Sequence, residues 1–148
     1  MAALKNYSML FISLILLSCS SITLKPVRYG WPIEDVQKVD QKGFININRY
    51  STKINVKQIF FLETNDSTNV KDKEIRLIRD DAGFYYFTSP GFKHVYIFKS
   101  DEGSMKLENQ ILINQAGLKS PAMNQRNSYI EIIDGEKTYM LNNKGIVR

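Results

Sequence analysis

Short apolar runs alternate with turn signals over most of this chain, and this pattern limits the folds that the chain can adopt. Asp and Gly residues at 80–83, 101–103 and 134–135 interrupt runs in which every second residue tends to be apolar. A period of two residues is typical of a β-strand, and Asp-Gly is a strong hairpin signal. We count about nine candidate strands by these criteria. The sequence predicts an all-β fold, an antiparallel meander that forms a small barrel or a sandwich.

The prediction of which residues form the hydrophobic core rests on three stretches. Residues 43–50 place Ile45 and Ile47 on one face of a strand. Residues 56–63 are apolar on both faces, which is expected of a strand near the centre of a sheet. The most regular alternation, interrupted by Asn109, consists of Met105, Leu107, Ile111 and Ile113.

Two connections, residues 64–73 and 114–127, are longer than a hairpin needs, and long loops are often functional or disordered. The second contains Leu118 and Met123. It is either a surface for a partner or a loop that covers the core.

Aromatic residues cluster in the middle of the chain. Five of them, which either line a pocket or fill the core, are Tyr85, Phe87, Phe92, Tyr96 and Phe98. Trp31, beside Pro32, either sits at a membrane interface or closes one end of the β core.

The N-terminus has the organisation of a secretory signal, with Lys5 as its only charge and an apolar run at 9–17. A membrane-spanning helix needs about 20 apolar residues, so this run is too short to be a stable transmembrane anchor. The sequence predicts a signal peptide at 1–18, a tether at 19–28 and a single all-β domain at 29–148.

The residues Leu16, Leu17, Ser18 and Cys19 resemble the lipobox of bacterial lipoprotein precursors. The resemblance implies cleavage between Ser18 and Cys19, a diacylglycerol on the Cys19 thiol and further acylation, for example by palmitate, of the new amino group. The membrane partner is then lipid, bound through acylated Cys19 on the extracytoplasmic side of the cell envelope. Ser20, in the position after the cysteine, is compatible with sorting to an outer membrane.

Two other interpretations use the same residues. Ser18 and Ser20 form a small-x-small pattern, so an ordinary signal peptidase could cut after Ser20 and release a secreted domain without Cys19. Alternatively, the apolar N-terminus is a core element and Cys19 is a small buried hydrophobe.

Candidate catalytic residues are few. Cys19 is the only cysteine and His94 the only histidine, so neither a multi-histidine nor a cysteine metal site is predicted. His94 begins an apolar strand and is expected at a surface or sheet edge. Two pairs of carboxylates lie close in sequence, Asp80 with Asp81 and Glu131 with Asp134. We predict no catalytic residue, metal or cofactor.

Lysine and arginine are interleaved with acidic residues instead of forming a basic block, which argues against nucleic-acid binding. The sequence therefore predicts a membrane-tethered interaction or assembly module, non-catalytic, whose expected partner is an envelope protein. Alternatives are a carrier of an apolar ligand in a barrel pocket and a glycan hydrolase with a carboxylate pair.

Overall fold

The computed structural model describes residues 30–47, 49 and 51–147. The predicted signal peptide and the whole predicted tether, with Cys19, lie outside these residues. The described part contains one helix, α1 (Lys57–Thr64), and eleven strands. The strands are β1 (Asp35–Lys38), β2 (Phe44–Ile47), β3 (Thr52–Asn55), β4 (Glu74–Arg79), β5 (Phe84–Thr88), β6 (His94–Asp101), β7 (Ser104–Leu112), β8 (Pro121–Gln125), β9 (Ile130–Asp134), β10 (Lys137–Asn142) and β11 (Gly145–Ile146).

Five strands form the larger sheet, which is antiparallel and has the order β1-β4-β5-β6-β7. Its hairpins are at the predicted turns. Between β4 and β5, Asp80 Oδ1 accepts the Phe84 backbone N–H at 2.9 Å, and Gly83 adopts a φ of +89° that favours glycine. Glu102 and Gly103, both with positive φ, connect β6 to β7.

The second sheet has the order β11-β10-β9-β8 and contains the predicted hairpin at residues 134–135. Met123, Ile132 and Leu141 of this sheet belong to the same buried core as Tyr86 and Ile97 of the larger sheet. The two sheets therefore pack face to face. The all-β prediction is confirmed in its sandwich form, because the strand order closes neither sheet into a barrel.

The segment before β1 joins the two sheets. The Trp31 N–H donates to the Arg79 carbonyl in β4 at 2.8 Å, while the Pro32 carbonyl accepts the Gln125 N–H from β8 at 3.3 Å. Trp31 is buried. Of the two alternatives stated for Trp31, the structure agrees with the core position.

A third layer, which consists of the β2–β3 hairpin and α1, covers part of the opposite face of the larger sheet. Ile45 and Ile47 are both buried, as predicted. The strand predicted at residues 56–63 is wrong, because this stretch is mostly α1. Its buried residues Val56, Ile59 and Phe60 follow the spacing of a helix face.

The alternation predicted along β7 changes face in the middle of the strand. Leu107 is opposite Phe98, but Asn109 is opposite Ile97, so Glu108 is an extra residue in a bulge. Leu107 and Ile111 consequently lie on opposite faces of the sheet, and the single apolar face predicted from the sequence is wrong. Asn109 reaches the second sheet, where its amide donates to the Asn143 carbonyl.

The connection predicted at residues 114–127 contains β8. Leu118 and Met123 are buried. Of the two alternatives, the structure agrees with a segment that covers the core. Within the described residues, no helix has the length and apolar character needed to cross a membrane.

Candidate functional site

An open cavity of about 680 Å³ lies between the helix–hairpin layer and the larger sheet. Its floor consists of Tyr85, Phe87 and Phe98, and we call the cavity the aromatic groove. Tyr85 is paired with Phe98 across β5 and β6, which places both side chains on the same face. The Phe87 and Phe98 rings meet edge to face, with centroids 5.3 Å apart.

The aromatic cluster predicted from the sequence has members in the groove and members in the core. Tyr85 and Phe98 line the aromatic groove, and Phe92 and Tyr96 are buried core residues. Phe87 is buried in the core and also forms part of the groove floor. The Phe92 ring contacts Phe60 of α1 at a centroid distance of 5.1 Å. Both alternatives stated for the cluster therefore hold in part, and Phe87 meets both.

The walls of the groove come from three elements. One wall is β3, all four residues of which line the cavity. Opposite the hairpin, the lining includes Met105 and Leu107 of β7, and α1 contributes Ile59 and Leu62. Leu107 is 38% exposed and Leu62 is 44% exposed, so the mouth of the groove presents apolar surface to solvent. Such a surface is typical of a binding site.

Among the described residues that line the groove, Lys53 is the only charged one, and none is a carboxylate. The nearby Asp40 lies outside this lining. A hydrogen bond from the Phe44 backbone N–H holds the pKa of Asp40 below its usual value, and the charge of Lys53 contributes to the shift. Lys53 therefore places a positive charge at the β3 wall, with the negative charge of Asp40 close by outside the lining.

A second cluster, which we call the Glu63 clasp, fastens the end of α1 to the larger sheet through Glu63, Lys93, His94 and Tyr96. Glu63 Oε2 lies 3.0 Å from His94 Nδ1 and accepts the Tyr96 hydroxyl at 2.7 Å. Its other oxygen accepts the Lys93 backbone N–H. The Glu63 side chain is only 2% exposed, so these contacts replace the water that a carboxylate needs.

The clasp alters the titration of two of its members. Burial opposes ionisation of Glu63, but its hydrogen bonds to Lys93, Tyr96 and His94 outweigh burial and hold the pKa of Glu63 below its usual value. Burial, together with the bond to Glu63, raises the pKa of Tyr96. These are the signs of an ionised carboxylate held by donors. The arrangement does not place a nucleophile beside His94.

His94 is the first residue of β6, as predicted, and it is 24% exposed. However, β6 lies inside the larger sheet, not at its edge. The pairing with Glu63 was missed because 31 residues separate the two in sequence. The one available signal was the helical spacing of Val56, Ile59, Phe60 and Glu63, which puts Glu63 on the buried face of α1.

The carboxylates singled out in the sequence have structural partners. Asp80 accepts the Tyr86 hydroxyl at 2.9 Å, and burial together with Asp80 raises the pKa of Tyr86. Asp80 and Asp81 line a smaller cavity of about 390 Å³. Glu131 pairs with Arg126.

Asp134, the last residue of β9, binds the backbone just before β8. Its Oδ1 accepts the backbone N–H groups of Lys119 at 2.9 Å and Ser120 at 2.7 Å. Throughout the described ranges, no group of three or more His, Cys, Asp or Glu residues is arranged to hold a metal ion. Ser18 and Cys19, the predicted cleavage and lipidation residues, lie outside those ranges.

Comparisons of this chain with family models, with curated proteins and with solved structures found no match. The site must therefore be interpreted from its own geometry.

Proposed function

We propose that this protein is a non-catalytic binding module that takes its partner in the aromatic groove. More specifically, it is a lipoprotein of a bacterial cell envelope, held at a membrane by acylated Cys19, and its partner is an envelope protein. The observation that carries this proposal is the groove itself, an open cavity of about 680 Å³ with an aromatic floor, apolar side chains at its mouth and no carboxylate in its lining. Its size and character are those of a ligand site.

The tether supports a position close to the membrane. Eleven residue steps separate Cys19 from Gly30, the first described residue, and an extended chain of that length spans at most about 40 Å. Trp31 follows at once, and its ring contacts Tyr85 in the groove floor, with centroids 5.8 Å apart. A module attached through Cys19 would therefore keep the groove within a short distance of the bilayer.

The structure supports the two alternative functions to different degrees. A carrier of an apolar ligand would use this open groove instead of a barrel interior, and the cavity is large enough for a small ligand. A glycan hydrolase needs two carboxylates at one cleft. The groove lining contains none. Asp80 and Asp81 line the smaller cavity, but Asp80 accepts hydrogen bonds from the Phe84 N–H and the Tyr86 hydroxyl. We therefore place binding ahead of hydrolysis.

The anchor is tested by the mass of the mature N-terminal peptide isolated from the native host, with Cys19→Ala as the control. We expect a peptide that begins at acylated Cys19, and we expect the Cys19→Ala variant to leave the membrane fraction. A peptide that begins at unmodified Ser21 would exclude the anchor.

The groove is tested by Leu107→Arg, which introduces a charge at its mouth. Ile146→Arg is the matched control, because Ile146 is exposed to a similar degree but does not line the groove. After crosslinking in host membranes, we expect Leu107→Arg to lose at least about tenfold of the recovered partner, the effect of burying an unpaired charge. Equal recovery from both variants would contradict binding in the groove.

A further inference from the structure

Resting on the function proposed above, we infer that the aromatic groove binds an extended, acidic peptide segment, which adds to β3 as a further strand. Strand addition needs an open sheet edge whose backbone groups face the incoming chain. It also needs pockets that accept alternate side chains. The described residues provide both.

The register of the β2–β3 hairpin shows which backbone groups point outward. The Val56 N–H donates to the Gly43 carbonyl at 2.9 Å, and this pair continues the hairpin register. Hydrogen-bonded pairs alternate with non-bonded pairs, so Ile54 and Thr52 face β2. The N–H and carbonyl groups of Lys53 and Asn55 therefore point away from β2.

These outward groups border the groove. Side chains of a strand alternate between its two faces, so four consecutive residues line one cavity only where the strand edge itself faces it. All four residues of β3 line the groove. In the described part of the chain, β3 has β2 as its only partner strand, and neither Lys53 nor Asn55 makes a further backbone hydrogen bond.

The opposite edge of the hairpin is less open. The Phe44 carbonyl of β2 accepts the Asp40 N–H at 2.9 Å, and Asp40 Oδ1 accepts the Phe44 N–H at 2.8 Å. The connection from β1 therefore occupies part of the β2 edge. This leaves β3 as the edge of the hairpin that is available to a partner.

A peptide fits this wall better than a lipid chain does. An acyl chain in the groove would remove water from the outward N–H and carbonyl groups of Lys53 and Asn55 without replacing their hydrogen bonds, which is costly. A peptide backbone replaces those bonds. Its alternate side chains would then reach the aromatic floor at Tyr85 and Phe98.

The charge of the site selects the kind of peptide. Within the part of the chain that the structure describes, Lys53 supplies the only charge in the lining. An incoming strand with an acidic residue near Lys53 gains a favourable charge contact, whereas a basic one is repelled. β3 has four residues, about 13 Å of strand, so the segment recognised is roughly four to six residues long.

The test is a selection of random octapeptides displayed on phage against the mature full-length protein in lipid nanodiscs, with counterselection against Leu107→Arg. Selected peptides are synthesised with a fluorescent label, and their affinities are measured by fluorescence anisotropy. We expect sequences in which apolar residues alternate with polar ones and which contain Asp or Glu.

Three variants identify the mode of binding. Lys53→Pro removes the outward N–H and the charge, and we expect affinity to fall about tenfold or more. Lys53→Ala removes the charge alone and should cost up to about fivefold. Asn46→Pro, on the strand opposite Lys53, is the control and should leave affinity within about twofold, as expected of a change outside the site.

A second measurement keeps the test valid if proline disturbs the hairpin. Replacing one peptide amide that faces β3 by an ester removes a donor from the ligand and leaves the protein unchanged, and affinity should again fall about tenfold.

The outcomes of these experiments distinguish failure of strand addition from failure of the proposed function. Peptides that depend on Leu107 but bind equally to Lys53→Pro, and equally as esters, would overturn strand addition while leaving the groove as the binding site. The absence of any selected peptide that depends on Leu107 would overturn a peptide ligand. Photocrosslinking of the groove to lipid in the host would overturn it too.

Discussion

At the scale of single residues, the two partly buried carboxylates Glu63 and Glu34 show how context sets the state of a side chain. Both lie near a cation or a histidine, yet their pKa values shift in opposite directions. Hydrogen bonds dominate at Glu63. At Glu34, burial raises the pKa more than the charge of Arg76 and the Met123 N–H lower it.

We predict that Glu63→Gln destabilises the fold by about 1–3 kcal/mol at pH 7, because the clasp loses its charge-assisted hydrogen bonds. The folded pKa of Glu63 is below its reference value of 4.5. The wild-type advantage is therefore complete above that pH and disappears as the pH falls through the folded pKa. Urea unfolding at pH 7 and pH 3.5 measures it.

Glu136→Gln is the matched control, since Glu136 is an exposed carboxylate in the β9–β10 turn. Its unfolding free energy should stay within roughly 0.5 kcal/mol of wild type. If Glu63→Gln is as mild as this control at pH 7, the clasp does not hold α1 as described.

Glu34→Gln should show the opposite dependence on pH. Because the folded pKa of Glu34 lies above 4.5, the wild type loses stability as the pH rises from 4.5 through that raised pKa, whereas the Gln variant does not. The cost of the substitution should therefore be larger at pH 4 than at pH 7. A cost that grows with pH in the same urea series would contradict the assignment.

At the scale of elements, the helix α1 and the bulge in β7 determine where the groove lies, and sequence periodicity detects each only in part. Residues 56–63 are apolar at both odd and even positions, so a period of two fits as well as a helical spacing. Asn55 favours the helix, since its Oδ1 accepts the Lys57 N–H at 3.0 Å. An Asn two residues before the helix start was the local signal.

Neighbouring phenylalanines in α1 test the helix directly. Phe60→Ala should cost about 3–5 kcal/mol, because this buried ring packs against Phe92. Phe61→Ala should cost no more than roughly 0.5 kcal/mol, because Phe61 is 52% exposed. A central strand would bury both side chains, and comparable losses in thermal or urea unfolding would contradict the helix.

The bulge at Glu108 could not be predicted, because an extra residue in a strand leaves no mark in a single sequence other than a break in alternation. Asn109 was that break, but it looked like a polar interruption of one apolar face. The hairpin turns were predictable because Asp and Gly have strong local conformational preferences. Contacts distant in sequence, such as Glu63 with His94, have no comparable local signal.

At the scale of the whole molecule, three layers give the larger sheet two different faces. The second sheet covers one face with apolar side chains, and the connection Trp31–Glu34 fastens the two sheets together. The helix–hairpin layer covers only part of the other face, and the uncovered part is the aromatic groove. The fold class followed from the alternation in the sequence, whereas the groove depends on how far the third layer extends.

The most direct test of binding in the groove is photocrosslinking in host membranes, with p-benzoylphenylalanine at position 107. Position 33 serves as the control, because Ile33 is 59% exposed and lies outside the groove. We expect a specific crosslink to an envelope protein from position 107 that is absent from position 33. Equal labelling from both positions, or no product from position 107, would contradict the groove as the binding site.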